Sequence, residues 1–312
     1  MKQRTSLLFL SWISYHSQPA ASFCLKANSK WLARIAIREP SCRLYSVDNI
    51  KLDDGLVSQA EMAFSILAKR NRTWKRLRHL VDLAQQVKTQ ECKSLVDVGT
   101  DHGILPIALA ATAQFETVTG IDISEQVLDN GARATHQEVQ NHLKSEKGLS
   151  LPSVDFRCGN GLRGLEQGDA DIVCIAGMGV NTMLKILGGP ETSYLGSQIL
   201  LLQPTNSKPK NLIHLYDSLQ NEQGFLLVEE RIEILASRWY ISAAFARGKQ
   251  GDSLQSCLLP GTKLQTCSDN SQKEMFDHYV DHHTSWLAKD QKYGKLEASE
   301  QRWLRTFAAS HD

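Results

Sequence analysis

Along residues 56–87 apolar side chains return every three or four positions: Leu56, Ala60, Ala63, Phe64 and Leu67, then Leu77, Leu80, Val81 and Ala84. That spacing predicts helix. Between the two groups lies KRNRTWKRLR (69–78), with six basic residues. From residue 94 the pattern changes to short apolar runs alternating with helical stretches. The runs predict strands over 94–99, 117–124, 154–161, 170–179 and 198–204. The stretches between them predict helices over 105–113, 125–146, 181–187 and 210–224, the last closed by a glycine C-cap. Two further runs, 225–235 and 239–248, are separated by a turn so short that only antiparallel strands can use it.

Strands that alternate with helices imply a parallel sheet covered on both faces. The expected fold is therefore α/β and Rossmann-like. Five parallel strands and a terminal antiparallel hairpin make the seven-stranded sheet of a class I methyltransferase. Residues 249–271 are polar and read as a linker. Residues 272–308 read as two helices around Gly294. One carries the stripe Met275, Phe276, Tyr279, Val280, Trp286 and Leu287, the other Leu296, Trp303, Leu304 and Phe307. These stripes are expected to pack on each other as an antiparallel helix pair.

Charge sets the first 46 residues apart. They hold seven Lys and Arg against one acid, Glu39, and so carry +6 of a chain whose formal net charge is +1. The basic, serine-containing, acid-poor composition is that of an organelle transit peptide. The run LLFLSWI is too short to span a bilayer, and Ser11 interrupts it. RLYS (43–46) resembles a mitochondrial cleavage site, which points to a eukaryotic protein of the mitochondrial matrix, with a plastid as the alternative. A catalytic domain over 47–248 would follow. The remainder then carries −5, so any nucleic-acid contact has to come from a local patch. Seven cysteines show no C-x-x-C pair, and Cys158 and Cys174 sit in strand-like runs, where buried thiols are expected. No metal site is predicted.

In open parallel sheets ligands bind beyond the carboxyl ends of the strands. Asp97 and Gly99 end the first strand there, followed by Thr100, Asp101, His102 and Gly103. Asp122 ends the second, where an acid can accept both ribose hydroxyls, and Ile123 follows it. Gly159, Asn160 and Gly161 follow the third strand, beside an adenine edge. Ala176, Gly177, Met178 and Gly179 follow the fourth. The loop GTDHGI lacks the glycines of G-x-G-x-x-G, which argues against a pyrophosphate. S-adenosylmethionine has no phosphate but carries an ammonium and a sulfonium, and a loop bearing Asp101 suits that cation.

The motifs VDVGTDHGILP, IAGMG and LLLQP resemble those of the bacterial tRNA adenine-22 N1-methyltransferases. The resemblance runs through Asp97 to Pro106, Gly159 to Leu162, Ile175 to Val180 and Leu200 to Pro204, and LAKR (67–70) is similar to the family's opening helix. Asn160 stands where the family has an acid and Val180 where it has a glycine. The resemblance implies methyl transfer from S-adenosylmethionine to N1 of an adenine in tRNA. The absence of proline and aromatic residues in AGMG also points away from an exocyclic amine. Ring N1 has an in-plane lone pair and needs positioning and a nearby carboxylate, for which Asp101 is the candidate catalytic residue. The tRNA-binding candidates are Lys69, Arg70, Arg72, Lys75, Arg76 and Arg78, with Trp74 as a stacking platform. Two other readings stand beside this one: a methyltransferase acting on a small molecule or protein, and a non-catalytic RNA-binding factor of the same fold.

Overall fold

A computed structural model describes residues 54–308 apart from 167, 191–195 and 249–256, and the side chains of 54–58 and 70 are outside that description. The expected transit peptide over 1–46 and part of the linker lie outside the described residues.

The predicted helix over 56–87 is two helices, α1 (Asp54–Arg70) and α2 (Trp74–Val87). Asn71 makes the break: its side-chain oxygen accepts from the Thr73 backbone N–H at 2.7 Å and from the Thr73 hydroxyl at 2.6 Å. Such a local turn competes with the helical ladder. Then come β1 (Ser94–Val98), α3 (Ile104–Ala111) and β2 (Thr117–Asp122). A long helical stretch follows, in which a π-helical segment (Leu128–Arg133) leads into α4 (Ala134–Lys147). β3 (Asp155–Cys158), β4 (Ile172–Met178), α5 (Val180–Leu187), β5 (Ile199–Pro204) and α6 (Pro209–Asp217) continue the alternation. The hairpin β6 (Phe225–Leu235) and β7 (Arg238–Arg247) turns through Ala236 and Ser237, both with positive φ.

The seven strands lie in the order β3-β2-β1-β4-β5-β7-β6, with β7 antiparallel to both of its neighbours. β1 and β5 are buried along their whole length, as strands covered on both faces are. Alternate residues divide the core. Leu95, Ile172, Ile199, Leu201 and Ala244 face α1 to α4, while Val96, Val173, Leu200, Ala243 and Phe245 face α5, α6 and the C-terminal helices.

Three expectations are corrected here. The polar segment before residue 272 contains a short helix, α7 (Thr262–Thr266). It starts on the buried Glu230 of β6, whose carboxylate accepts from the backbone N–H groups of Gly261 and Lys263 at 2.9 Å and from the Tyr216 hydroxyl at 2.7 Å. The helices α8 (Asn270–Lys292) and α9 (Ala298–Phe307) turn their stripes into the sheet's core as well as toward each other. Tyr279 donates to the Ser207 carbonyl at 2.6 Å and Trp303 to the Pro260 carbonyl at 3.0 Å, while Trp286 of the same stripe is exposed. Cys174 is buried as expected, but Cys158 at the end of β3 is exposed, because β3 is an edge strand. No described helix is long and apolar enough to cross a membrane.

Candidate functional site

The carboxyl edge of the sheet brings the four predicted loops into one row, ordered by the strands beneath them. At the β3 end, the Gly159 N–H donates to the Asp122 carbonyl at 2.8 Å, which ties the third loop to the second. A Cβ on Gly159 would come within 3.0 Å of the Arg163 carbonyl, and Gly161 has φ 66°. Asn160 between them is exposed.

At the β2 end, each oxygen of Asp122 accepts one backbone N–H, from Ser124 and from Asp101, both at 3.1 Å. The carboxylate is thereby fixed and still has lone pairs for two more donors. Ile123 beside it is 69% exposed, an unusual position for a large apolar side chain.

The β1 loop turns back on β2. The N–H groups of Gly99 and Thr100 both donate to the Ile121 carbonyl, at 2.8 and 2.9 Å. Gly99 has φ 78°, and a Cβ there would stand 2.2 Å from the tip of Met178, so the side chain of the β4 loop lies directly over this glycine. Gly103 (φ 69°) opens α3 with Ala132 2.9 Å from its missing Cβ. Gly131 of the π-helical segment lets His102 pack close, its Nδ1 2.9 Å from where a Cβ would be. Asp101 takes φ 50°, and its exposed carboxylate lies 3.7 Å from His102 Nε2. Because its backbone N–H bonds to Asp122, Asp101 sits at the β2 side of the loop. Asp97 is the buried acid of this loop. Burial, assisted by the nearby Asp122 charge, raises its pKa to about 7 against the opposing pull of the Thr100 hydroxyl and Arg76.

At the β4 end, strand geometry runs on to Met178 with an irregularity between Ala176 and Met178, so AGMG is a bent strand end and Gly179 alone separates it from α5. Gly177 has φ 74° and is exposed.

The basic cluster comes apart. Lys69, Arg72 and Lys75 are exposed. Arg70 closes α1, and its side chain lies outside the described residues. The other three expected RNA contacts are half-buried and have partners within the chain. Trp74 packs its ring 5.5 Å from Phe64, against the core. Arg78 pairs with Asp82 at 2.9 Å and lies 4.3 Å over the Phe64 ring. Arg76 points inward. It donates through Nη1 to Gln203, sits 5.4 Å from the Tyr240 ring, and has its Nη2 only 3.4 Å from the position a Gly177 Cβ would take. Helical periodicity explains part of the split: Leu77, Leu80, Val81 and Ala84 form the buried face of α2, Arg76 borders it one turn before Leu80 and Lys75 lies opposite, while Arg72 sits in the turn before the helix.

Gln203 is a site residue whose role the motif LLLQP does not reveal by itself. It lies at the end of the buried strand β5, and its Nε2 donates to the Arg76 carbonyl at 3.0 Å and to the Ser242 hydroxyl. A signal for it exists in the sequence: a primary amide closing an otherwise apolar strand needs buried partners.

A methyltransferase-domain family matches residues 74–241. The tRNA (adenine(22)-N(1))-methyltransferase of Bacillus subtilis is 26% identical over 139 residues, which cover 45% of this chain and 52% of that protein. The match thus spans about half the length of the curated relative. Among solved structures, the B. subtilis m1A22 tRNA methyltransferase superposes with a TM-score of 0.51 at 21% identity, over 76% of this chain and 94% of that one. A Streptococcus pneumoniae protein in complex with S-adenosyl-L-methionine superposes with a TM-score of 0.51 at 24% identity, over 73% and 97%. These likenesses agree with the observed sheet.

Proposed function

The chain belongs to the methyltransferase-domain family, and from that premise we propose that it transfers the methyl group of S-adenosylmethionine to N1 of an adenine in tRNA, at a position like that named for its relatives. The observation that carries the cofactor reading is the row along the sheet edge. Gly159–Gly161, Asp122, Gly99 and Gly177 follow one another in strand order, and backbone bonds join the first three loops to one another. The row fits an adenosyl group followed by an amino-acid end. Exposed Ile123 offers an apolar face to a purine, and fixed Asp122 offers acceptors to a ribose diol. Bare backbone at the exposed Gly177 leaves an approach for a ligand chain, and Gly99 lets the Met178 side chain pack onto the β1 loop.

The bound cofactor supplies an electrophilic methyl on a sulfonium. The N1 lone pair forms the new C–N bond as the C–S bond breaks, and the positive charge passes from sulfur to the base. No proton has to be removed, so the chain's part is positioning and charge stabilisation. Asp101, exposed at the rim beside Asp122, is placed to face an incoming base and to stabilise the cation formed there. His102, which the bare Gly131 lets pack close, lies 3.7 Å from it. Lys69, Arg72 and Lys75 form the phosphate-contacting patch, with Arg70 beside them in sequence. The basic N-terminal composition supports import into mitochondria, with plastids as the alternative. Fusing residues 1–46 to a fluorescent reporter tests this, and a cytosolic or secreted reporter contradicts it.

A second reading, methyl transfer to a small molecule or protein, is favoured by one observation: the half-buried Trp74, Arg76 and Arg78 already engage Phe64, Gln203 and Asp82 of this chain. Primer extension on organellar tRNA separates the two. N1-methyladenine blocks base pairing and stops the polymerase. Stops that vanish on gene deletion support the tRNA reading, and an unchanged stop pattern supports the second.

A further inference from the structure

The sheet face beneath α2 is apolar along most of its length and polar at its carboxyl edge. Asp97 pairs with Cys174 and Ala176 with Gln203, and Gln203 bonds across to Ser242, so Asp97, Gln203 and Ser242 share that face. Arg76 descends from α2 onto this row. One amide grips it at two points: Gln203 Oε1 accepts from Nη1, and Gln203 Nε2 donates to the Arg76 backbone carbonyl at 3.0 Å. The guanidinium is thus fixed, while Nη2 and Nε have no hydrogen-bonding partner among the described residues. Burial pulls its pKa down, and Tyr240 and Asp97 oppose that pull. A half-buried guanidinium with donors to spare is costly unless an anion completes it.

The strand order says which anion. With purine and ribose at β3 and β2, the far end of the cofactor reaches β1 and β4. That end is an α-amino acid, with a carboxylate and an ammonium on one carbon. The protein offers a guanidinium and a carboxyl group there, Arg76 and Asp97, close enough to perturb each other. Gly177 stands between Arg76 and the open edge without a side chain to block the approach. We propose that Arg76, held by Gln203, binds the carboxylate of the methionyl end of S-adenosylmethionine through Nη2 and Nε, with Asp97 on the ammonium side. This assignment rests on the cofactor reading above. It removes Arg76 from the RNA surface and makes its fork geometry matter, since arginine binds carboxylates through two parallel N–H groups.

Calorimetry on the full chain tests this with three probes: S-adenosylmethionine, its decarboxylated form and 5′-methylthioadenosine, which lacks the amino-acid end. The wild type should bind S-adenosylmethionine about 10–100-fold more tightly than the decarboxylated form, the range for a charged hydrogen-bonding group. Arg76→Met should lose that discrimination and bind methylthioadenosine as the wild type does. Arg76→Lys should recover part of it. The assignment is overturned by a wild type that binds the first two probes equally, a result that does not depend on any variant folding. It is also overturned if Arg76→Met weakens all three probes alike, or if it raises the KM for tRNA while leaving cofactor binding intact. A wild type that binds none of the probes overturns the cofactor reading itself, and this assignment with it.

Discussion

Two stretches of this chain look equally marked in sequence and behave differently in structure. One is the set of strand-end loops, 97–103, 122–123, 159–161 and 176–179. The other is the basic segment 69–78. The loops stay together because glycine and a strand end fix backbone position, and the sheet then aligns the ends in strand order. The basic residues share only charge. The turn and the helix that carry them point some outward and some inward, so Arg72 and Lys75 meet solvent while Arg76 meets Gln203 and Tyr240. A charge run has no function until its periodicity is resolved against a core.

The sharpest way to break this contrast is at Gly99. Its φ of 78° and the Met178 tip 2.2 Å from a would-be Cβ make Gly99→Val strained and push the thioether aside. Cofactor binding should fall below detection by calorimetry. Gly164→Ala is the control: it has φ 88° with nothing within 4 Å, so it should cost about 1–2 kcal/mol of stability and leave binding unchanged. Equal effects at both glycines would mean that backbone strain alone explains the loss. Next in size, Asp122→Ala removes the fixed diol acceptor. It should weaken S-adenosylmethionine by about 2 kcal/mol, or about 30-fold, measured in the same way; unchanged affinity would move the ribose elsewhere.

Asp97 gives a pH test. Burial lifts its pKa from 3.8 to about 7, so the folded chain keeps a proton that the unfolded chain has released between those values. Stability of the ligand-free protein should therefore fall as pH rises through that window and level off above it. Asp97→Asn removes this loss, so its gain in Tm over the wild type should be larger at pH 8 than at pH 4.5. A gain independent of pH would contradict a buried, proton-holding Asp97. The smallest effects lie in the basic segment. Reversing Arg72 and Lys75 to Glu should raise the KM for tRNA and reduce the salt slope of binding by about 0.7–0.9 for each phosphate that is no longer neutralised. Arg78→Ala should leave that slope alone and cost about 0.5–1 kcal/mol of stability, because its guanidinium no longer stacks on the Phe64 ring. If Arg78 moves the slope as Arg72 does, the inward and outward division fails.

The sheet was legible because its central strands, β1 and β5 above all, are buried on both faces and read as short apolar runs. The hairpin was legible from a turn too short for any crossover. The short helix α7 was not, because the group that starts it, Glu230, lies about thirty residues earlier in β6 and is indistinguishable in sequence from its neighbour Glu229. Trp286 read as core because helical spacing marks an approximate stripe, and only the sheet's edge shows where the stripe stops being covered. At the site, residue types and loop order were readable. Which acid is buried was not: Asp97 and Asp101 are both strand-end carboxylates in sequence, and only the turn-back of the loop onto Ile121 separates them.

The central claim, methyl transfer to adenine N1 of tRNA, is tested most directly by incubating the purified full chain with isotopically labelled S-adenosylmethionine and tRNA, then digesting the tRNA to nucleosides for mass spectrometry. The account predicts label in N1-methyladenosine, reduced in the Asp101→Asn and Asp122→Ala variants. Label in an exocyclic-amine product, or tRNA left unlabelled by a chain that binds the cofactor, would contradict it.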